Sequence, residues 1–193
     1  MSSFLAHSLI GFAIGRQKRD KSSFKINVAI SVFFIVLATA PDIDYLINFI
    51  RGVTMPIRYT HSIGYIFFVT IFSLLLRSFS THLQKIAPIF FFSATFSHLI
   101  LDFLVGVHGN PYLYPFSEVL FTSSLGILPS AGRIDVNNYY FWRNLLIELM
   151  IFLPILILLV AYYREKLFKQ SILKYFILCI FILGVALGYN LKR

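Results

Sequence analysis

Five long apolar segments, separated by short polar connections, constrain this chain more than any other feature of its sequence. They cover residues 26–40, 63–76, 86–105, 145–163 and 171–189. A helix needs about 20 mostly apolar residues to cross a bilayer, and these segments come near that length. The 193-residue chain is 58% hydrophobic and 13% charged, whereas soluble domains carry about 25% charged residues. The sequence therefore predicts an all-α, polytopic integral membrane bundle with about five spanning helices.

The remaining parts of the chain fit one membrane-embedded domain over residues 1–193. An additional apolar piece at residues 4–14 is too short to span alone and is expected to form a re-entrant or interfacial helix. No repeat or flexible linker divides the chain, and its start lacks the features of a signal peptide. The single Cys179 excludes a disulfide framework and a thiolate metal cluster.

Basic residues predict the orientation of the bundle. Eleven of the seventeen Lys and Arg residues precede the first long segment, separate the second from the third, or separate the fourth from the fifth. Those connections share one side of the membrane, which the positive-inside rule makes cytoplasmic. Topology thus accounts for the net charge of +9, which is compatible with contact to membrane lipid and is too scattered to predict nucleic-acid binding.

Histidines and carboxylates lie inside or at the ends of the apolar segments, where each ionisable group costs about 2.5 to 3.5 kcal/mol on insertion scales. The predicted topology brings four such patches to the extracytoplasmic end of the bundle. Their convergence predicts a functional site near that face, most simply a metal site with nitrogen and oxygen ligands. The patches are His7, Asp42 with Asp44, His61, and His98 with Asp102.

Each patch also has a simpler explanation. His98 and Asp102 share one helix face, where they could bind an ion or form a structural hydrogen-bonded pair. Pro41 is expected to break the first long helix, after which one aspartate could cap a new helix, although two exceed that need. A histidine at a membrane interface, as His7 and His61 are predicted to be, can be there without a ligand. The neighbours of His61 that could orient a ligand are Arg58, Thr60 and Ser62.

Three further features remain open at this stage. His108 could complete the site or be a solvated loop histidine, and Glu148 could be an extra ligand, a base or a helix cap. The long connection at residues 106–143 is rich in aromatic residues and could form an interfacial belt. It could equally form a lid over the site, with Arg133 and Arg143 as anion contacts.

The order of these motifs resembles the YdjM-like family, whose members are predicted to be membrane-bound metal-dependent hydrolases. The likeness covers roughly residues 1–120: an early His, Pro-Asp-Ile-Asp at 41–44, Thr-His-Ser at 60–62, Ser-His-Leu-Ile-Leu-Asp at 97–102 and Gly-Asn-Pro-Tyr-Leu-Tyr-Pro-Phe at 109–116. Many members carry a His-Arg pair before Thr-His-Ser, where this chain has Pro56 and only Arg58. The spacing of His98, Asp102 and His108 is also similar to an element of zinc-dependent phospholipase C.

The resemblance implies a metal-site half at residues 1–120, followed by a C-terminal helical hairpin at 145–190. We expect a divalent metal, most simply zinc, and cleavage of a phosphoester or related bond in a lipid or envelope molecule. Asp44 is expected to accept a proton and Arg58 to hold an anionic substrate. The alternative is a non-enzymatic ion-binding or transport protein. The expected metal ligands are His7, Asp42, His61, His98 and Asp102.

Overall fold

The computed structural model describes residues 4–16, 23–52, 56–106, 109–129, 137–164 and 171–191. Within these ranges the fold is all-α, as predicted, with one isolated antiparallel bridge between Asn110 and Phe121 and no strand. A 3-10 turn, Ala40–Asp42, joins the second and third helices. The helices are α1 (Phe4–Gly15), α2 (Phe24–Thr39), α3 (Ile43–Arg51), α4 (Ile63–Ser78), α5 (Thr81–Gln84), α6 (Pro88–Val105), α7 (Tyr139–Arg164) and α8 (Ser171–Tyr189).

Three helical stretches among the described residues are long and apolar enough to cross a membrane. They are Phe24–Asn48, Pro88–Val105 and Tyr139–Leu158, while the other apolar helices are shorter. All five predicted segments are helical, but five crossings remain a prediction. One boundary was wrong: α7 begins at Tyr139, so the connection predicted to run to residue 143 ends earlier and its last aromatic residues lie on a helix.

Pro41 ends α2, as expected from its missing N–H group. The Ala40 N–H donates to the Leu37 carbonyl instead, which tightens the chain into the 3-10 turn before α3 begins. Asp42 occupies the N-cap position of α3 without a side-chain capping bond, so helix capping does not account for it. The turn directs Asp42 toward His61 and His98, and Asp44, in the first turn of α3, contacts Arg58 and His61.

Helix α1 packs antiparallel on α2 and also contacts α6 and α7. A Cβ atom at Gly11 would lie 2.5 Å from the Phe34 carbonyl oxygen, and one at Gly15 would lie 2.9 Å from Ser31 Cα. The two backbones are therefore in direct contact, which only glycine permits at these positions. Near the start of α1, His7 is fully inaccessible as well, and it contacts His98 and Asp102 of α6.

The segment 109–129 covers the end of the bundle where α6 stops and α4 starts. Gly106 ends α6 with a φ of 66°, and a Cβ there would lie 2.3 Å from the Ser123 carbonyl oxygen. The Ile127 N–H donates to the Leu104 carbonyl at 2.9 Å, which ties the segment to the last turn of α6. The polar patches of α2, α4 and α6 lie beneath this cover.

Candidate metal centre

The structure brings all seven expected site residues into one cluster at a single end of the bundle. They come from the start of α1, the turn after α2, the approach to α4 and the last two turns of α6. All are almost fully buried except for Asp42 and Arg58, whose side chains are 12% and 17% exposed. The members of this cluster are His7, Asp42, Asp44, Arg58, His61, His98 and Asp102.

Four ligand-type atoms converge at the centre of the cluster. The Nε2 atoms of His61 and His98 are 3.1 Å apart. Oδ2 of Asp102 lies 3.2 Å from the first of these nitrogens and 3.9 Å from the second, and Oδ1 of Asp42 lies 3.6 Å from both. Donors around a tetrahedral zinc ion, with bonds of about 2.0–2.1 Å, are spaced about 3.3 Å apart. The donor types and the spacing of His61, His98 and Asp102, whose ligand atoms all lie within 4.8 Å of one another, therefore fit one divalent ion.

His98 is held by contacts on both sides of its ring. Its Nδ1–H donates to the Ala38 carbonyl at 2.8 Å, because a carbonyl oxygen can only accept. Nε2 is then the ring nitrogen that faces the cluster, an orientation typical of histidine ligands. The His7 ring stacks on the His98 ring at 3.7 Å, and His7 Nε2 lies 3.6 Å from Asp102 Oδ1. Ligand atoms of His7, Asp42 and His98 also lie within 4.8 Å of one another.

His61 lies between carboxylates on two sides. Burial lowers the pKa of His61, but its contacts with Asp102 and Asp42 raise that pKa by more, so the net shift is upward. Its other ring nitrogen, Nδ1, is 3.1 Å from Thr60 Oγ1 and 3.7 Å from Asp44 Oδ2. The ring is thus oriented from behind by Thr60 and Asp44 while Nε2 points to the centre.

Arg58 forms a two-point ion pair with Asp44. Its Nε donates to Asp44 Oδ2, and its Nη2 donates to Asp44 Oδ1 at 3.0 Å and to Asp42 Oδ1 at 3.3 Å. The guanidinium also lies over the Tyr45 ring, 4.6 Å from the ring centre. This arrangement fixes Asp42 of the 3-10 turn and Asp44 of α3 to the segment that leads into α4.

Several other sequence expectations have a different outcome. His108 and Arg133 lie outside the described residues, and Arg143 donates to Asn144 on α7. Glu148 is 1% exposed and lies nine residues into α7, too far from its start to be a cap. Glu148 as a ligand or base, and the connection as a lid, remain predictions.

The sequence analysis did not single out Asn110 and Tyr112, which lie beside the cluster. The Asn110 amide donates to the Tyr112 hydroxyl at 3.4 Å. The pKa of Tyr112 is raised, chiefly because its hydroxyl is buried, and the hydrogen bond from Asn110 offsets part of this rise. Both residues belong to the stretch at 109–116, which follows Asp102 by only seven positions. This short separation is the sequence signal that could have placed them near the cluster.

The fold and the cluster define a helical membrane protein with a buried group of histidines and aspartates at one end. The model of the YdjM inner membrane protein family matches residues 1–190, so the chain belongs to this family. The match includes α7 and α8, beyond the part of the chain that carried the resemblance. Comparisons with curated proteins and with solved structures give no significant match.

Proposed function

We propose that this protein is a membrane-embedded metal-dependent hydrolase that cleaves a phosphoester or related bond in a lipid or envelope molecule. The observation that carries the proposal is the buried set of His61, His98 and Asp102, two imidazole nitrogens and one carboxylate oxygen at ion-binding spacing, with Asp42 Oδ1 3.6 Å from both nitrogens. These residues would hold zinc, with His7 as a further ligand. A bound zinc ion lowers the pKa of water toward 7 and stabilises negative charge on an attacked group.

The residues around the donors have distinct proposed roles. Arg58 and Asp42 are the partly exposed members of the cluster, so substrate reaches the site on their side. Arg58 binds the anionic group of the substrate there. Asp44 has both oxygens engaged by Arg58 and faces His61 Nδ1, which favours a positioning role for Asp44 over proton transfer.

The cluster is proposed to lie near the extracytoplasmic face. Lys25, Arg77 and Lys85 belong to the opposite end of the bundle from the cluster. Lys25 lies at the start of α2, whose far end leads to Asp42; α4 begins just after His61 and ends beside Arg77; and α6 begins just after Lys85 and carries Asp102 near its end. The positive-inside rule assigns that basic end to the cytoplasm.

A non-enzymatic ion carrier is the competing function. A carrier needs polar groups that continue across the membrane, and it commonly uses ionisable ones. On α2, α4 and α6, the buried polar side chains beyond the cluster are hydroxyls, which favours a one-sided site. These side chains are Ser31, Thr70, Ser73 and Thr95.

Metal content is the direct test of the proposal. We expect purified wild-type protein to contain about one zinc ion per chain and the His98→Ala and Asp102→Ala variants to lose it, measured by elemental analysis. His82→Ala is the matched control, because His82 lies on α5 at the opposite end of the bundle. Helix content and monodispersity in detergent show that each variant is folded. Equally low metal in wild type and variants, also after incubation with zinc, overturns the metal centre.

Hydrolysis separates the enzyme from the carrier. The loaded protein is incubated with phospholipids and lipid phosphates, and the release of headgroup or phosphate is measured. We expect activity that Arg58→Lys reduces mainly through a higher KM, because Nε and Nη2 of Arg58 bond to Asp44 and Asp42 and lysine lacks the further guanidinium nitrogen that is left for an anion. Bound metal without hydrolysis of any of these lipids would contradict the enzyme and support the carrier.

A further inference from the structure

An apolar groove of about 540 Å³ lies directly beside the metal-ligand cluster. Its floor is one stripe of α6 formed by Phe96, Leu99, Ile100 and Phe103, whose spacing of three and four residues puts them on one helix face. The volume falls within the range of about 300 to 1,000 Å³ typical of small-molecule sites. The groove is open along its length, since Ile100 and Phe103 are 47% and 40% exposed.

The walls of the groove are held in place by backbone hydrogen bonds. One wall begins at Ile63 of α4, whose N–H donates to the Tyr112 carbonyl at 2.9 Å. The next N–H, of Gly64, donates to the Tyr114 carbonyl at 3.0 Å. Phe121 of the same wall pairs with Asn110 through two backbone bonds of 3.0 and 3.1 Å. The groove is thus a built feature of the segment that covers the cluster.

The groove is continuous with the cluster along α6. Leu99 follows His98 and Phe103 follows Asp102, so the groove face lies about 100° around the helix from the ligand face, at the same depth. Tyr112 lines the groove, and its ring contacts the Phe103 ring edge-on at 5.8 Å. A single elongated molecule can therefore occupy the groove and reach the cluster.

The surroundings of the groove determine what can fill it. A membrane protein presents such a face to hydrocarbon chains, whereas a peptide segment would bring N–H and C=O groups that the apolar lining cannot bond. Apolar contact alone gives little preference over bulk lipid in a bilayer. Affinity must then come from the polar end of the ligand at Arg58 and the cluster, and the groove aligns the chain behind it.

We propose that this groove holds the hydrocarbon chain of a phosphate-bearing lipid whose headgroup lies at Arg58. That this lipid is the substrate rests on the proposed hydrolase function. That the groove binds a hydrocarbon chain does not depend on it. Ile63, Leu99 and Phe103 then select lipids by the length and shape of the chain. The headgroup is placed beside the partly exposed edge of the cluster at Asp42.

A photoreactive lipid tests the assignment. Lysophosphatidate with a diazirine near its chain end is cross-linked to the full-length protein in detergent, and the labelled peptides are identified by mass spectrometry. We expect labels on the 96–103 stripe and on residues 112–121. Unlabelled long-chain lysophosphatidate should compete with the probe, and glycerol phosphate, which has the headgroup but no chain, should compete far less.

Variants that fill the groove with a tryptophan side chain are compared with a variant that carries the same side chain elsewhere. Ile100→Trp and Leu113→Trp, at groove positions that are 47% and 48% exposed, should reduce labelling about tenfold while metal content and thermal stability stay at wild-type level. Leu153→Trp places the same side chain in a separate apolar groove of about 260 Å³ between α7 and α8, and it should leave labelling unchanged.

Other outcomes overturn one proposal or the other. Labels spread evenly over α7 and α8, labels unaffected by either groove variant, or cross-links that join two copies of the chain would refute the lipid groove. Groove labelling in a protein that binds no metal would refute the hydrolase and leave the lipid groove standing. Metal-dependent hydrolysis without groove labelling would refute the lipid groove and leave the hydrolase standing.

Discussion

The two-point pair between Asp44 and Arg58 is the contact at residue scale that most changes the expected chemistry. The sequence led us to expect Asp44 as the proton acceptor and Arg58 as a separate anion contact. In the structure the two side chains bond to each other, and Asp44 also faces His61. Under the proposed function, a carboxylate in this arrangement orients the His61 ring as a metal ligand, a role whose loss typically lowers metal affinity by about 10 to 100-fold.

The Asp44→Asn variant distinguishes these roles. The amide keeps the shape of the carboxylate but not its charge, so Arg58 loses its partner and His61 loses a contact behind its ring. We expect zinc affinity to fall by about 10 to 100-fold, measured by competition with a chelator. Thr39→Ser, a small change on α2 outside the cluster, serves as the control.

A proton acceptor at Asp44 would give a different pattern. Zinc affinity would then stay near the wild-type value, while kcat would fall and its dependence on pH would change. That combination would restore the role expected from the sequence and remove the positioning role.

Some contacts at this scale were accessible from sequence and others were not. The convergence of His61, His98 and Asp102 follows from hydropathy and charge, because both set the depth of a residue in the membrane. The hydrogen bond from His98 to the Ala38 carbonyl cannot be predicted in this way, because it depends on how α2 and α6 cross. The Arg58–Asp44 pair likewise depends on the irregular path into α4, for which no periodic pattern exists.

At the scale of elements, α1 is the helix whose role was least apparent in the sequence. It was expected as a re-entrant or interfacial piece, and the structure places it in backbone contact with α2. The signal that could have indicated this packing is the Gly11-x-x-x-Gly15 spacing, which allows two helices to approach closely in a membrane. This close approach is what positions His7 over His98.

Replacing Gly11 with alanine tests that packing. Helix propensity alone would favour alanine by about 1 kcal/mol, yet the added Cβ would lie 2.5 Å from the Phe34 carbonyl oxygen. We therefore expect a net destabilisation of about 1 to 3 kcal/mol, seen as a lower thermal midpoint in detergent.

Val32→Ile provides the control for Gly11→Ala. It adds one methylene to a half-exposed position on α2 and should change the midpoint little. A Gly11→Ala midpoint equal to or above that of the wild type would contradict the backbone contact between α1 and α2.

At the scale of the whole molecule, the sequence predicted the helical segments, whereas the five crossings stay a prediction. The start of α8 and the end of α6 match the predicted segments because apolar runs end where charged residues and glycines begin. Whether α1, α4 and α8 cross a bilayer depends on tilt and on neighbouring helices, which hydropathy does not encode. The cover formed by residues 109–129 has no periodic pattern and could not be built from the sequence.

Orientation can be measured with single cysteines in a Cys179→Ser background. Glu118 is exposed on the segment that covers the cluster, and Lys85 is exposed at the opposite end of the bundle. We expect a membrane-impermeant maleimide to label Glu118→Cys in intact cells and Lys85→Cys only after the membrane is permeabilised. The reverse pattern would place the cluster on the cytoplasmic side.

The distribution of the cluster over four parts of the chain has a consequence for biogenesis. When the chain has been synthesised through α4, it contains His7, Asp42 and His61, but their partners His98 and Asp102 lie on a helix that has not been made. Ionisable groups without their full set of partners are costly in lipid, so this intermediate is poorly stable. Insertion of α6 supplies the missing contacts, and the same side chains that build the site therefore favour completion of the bundle during synthesis.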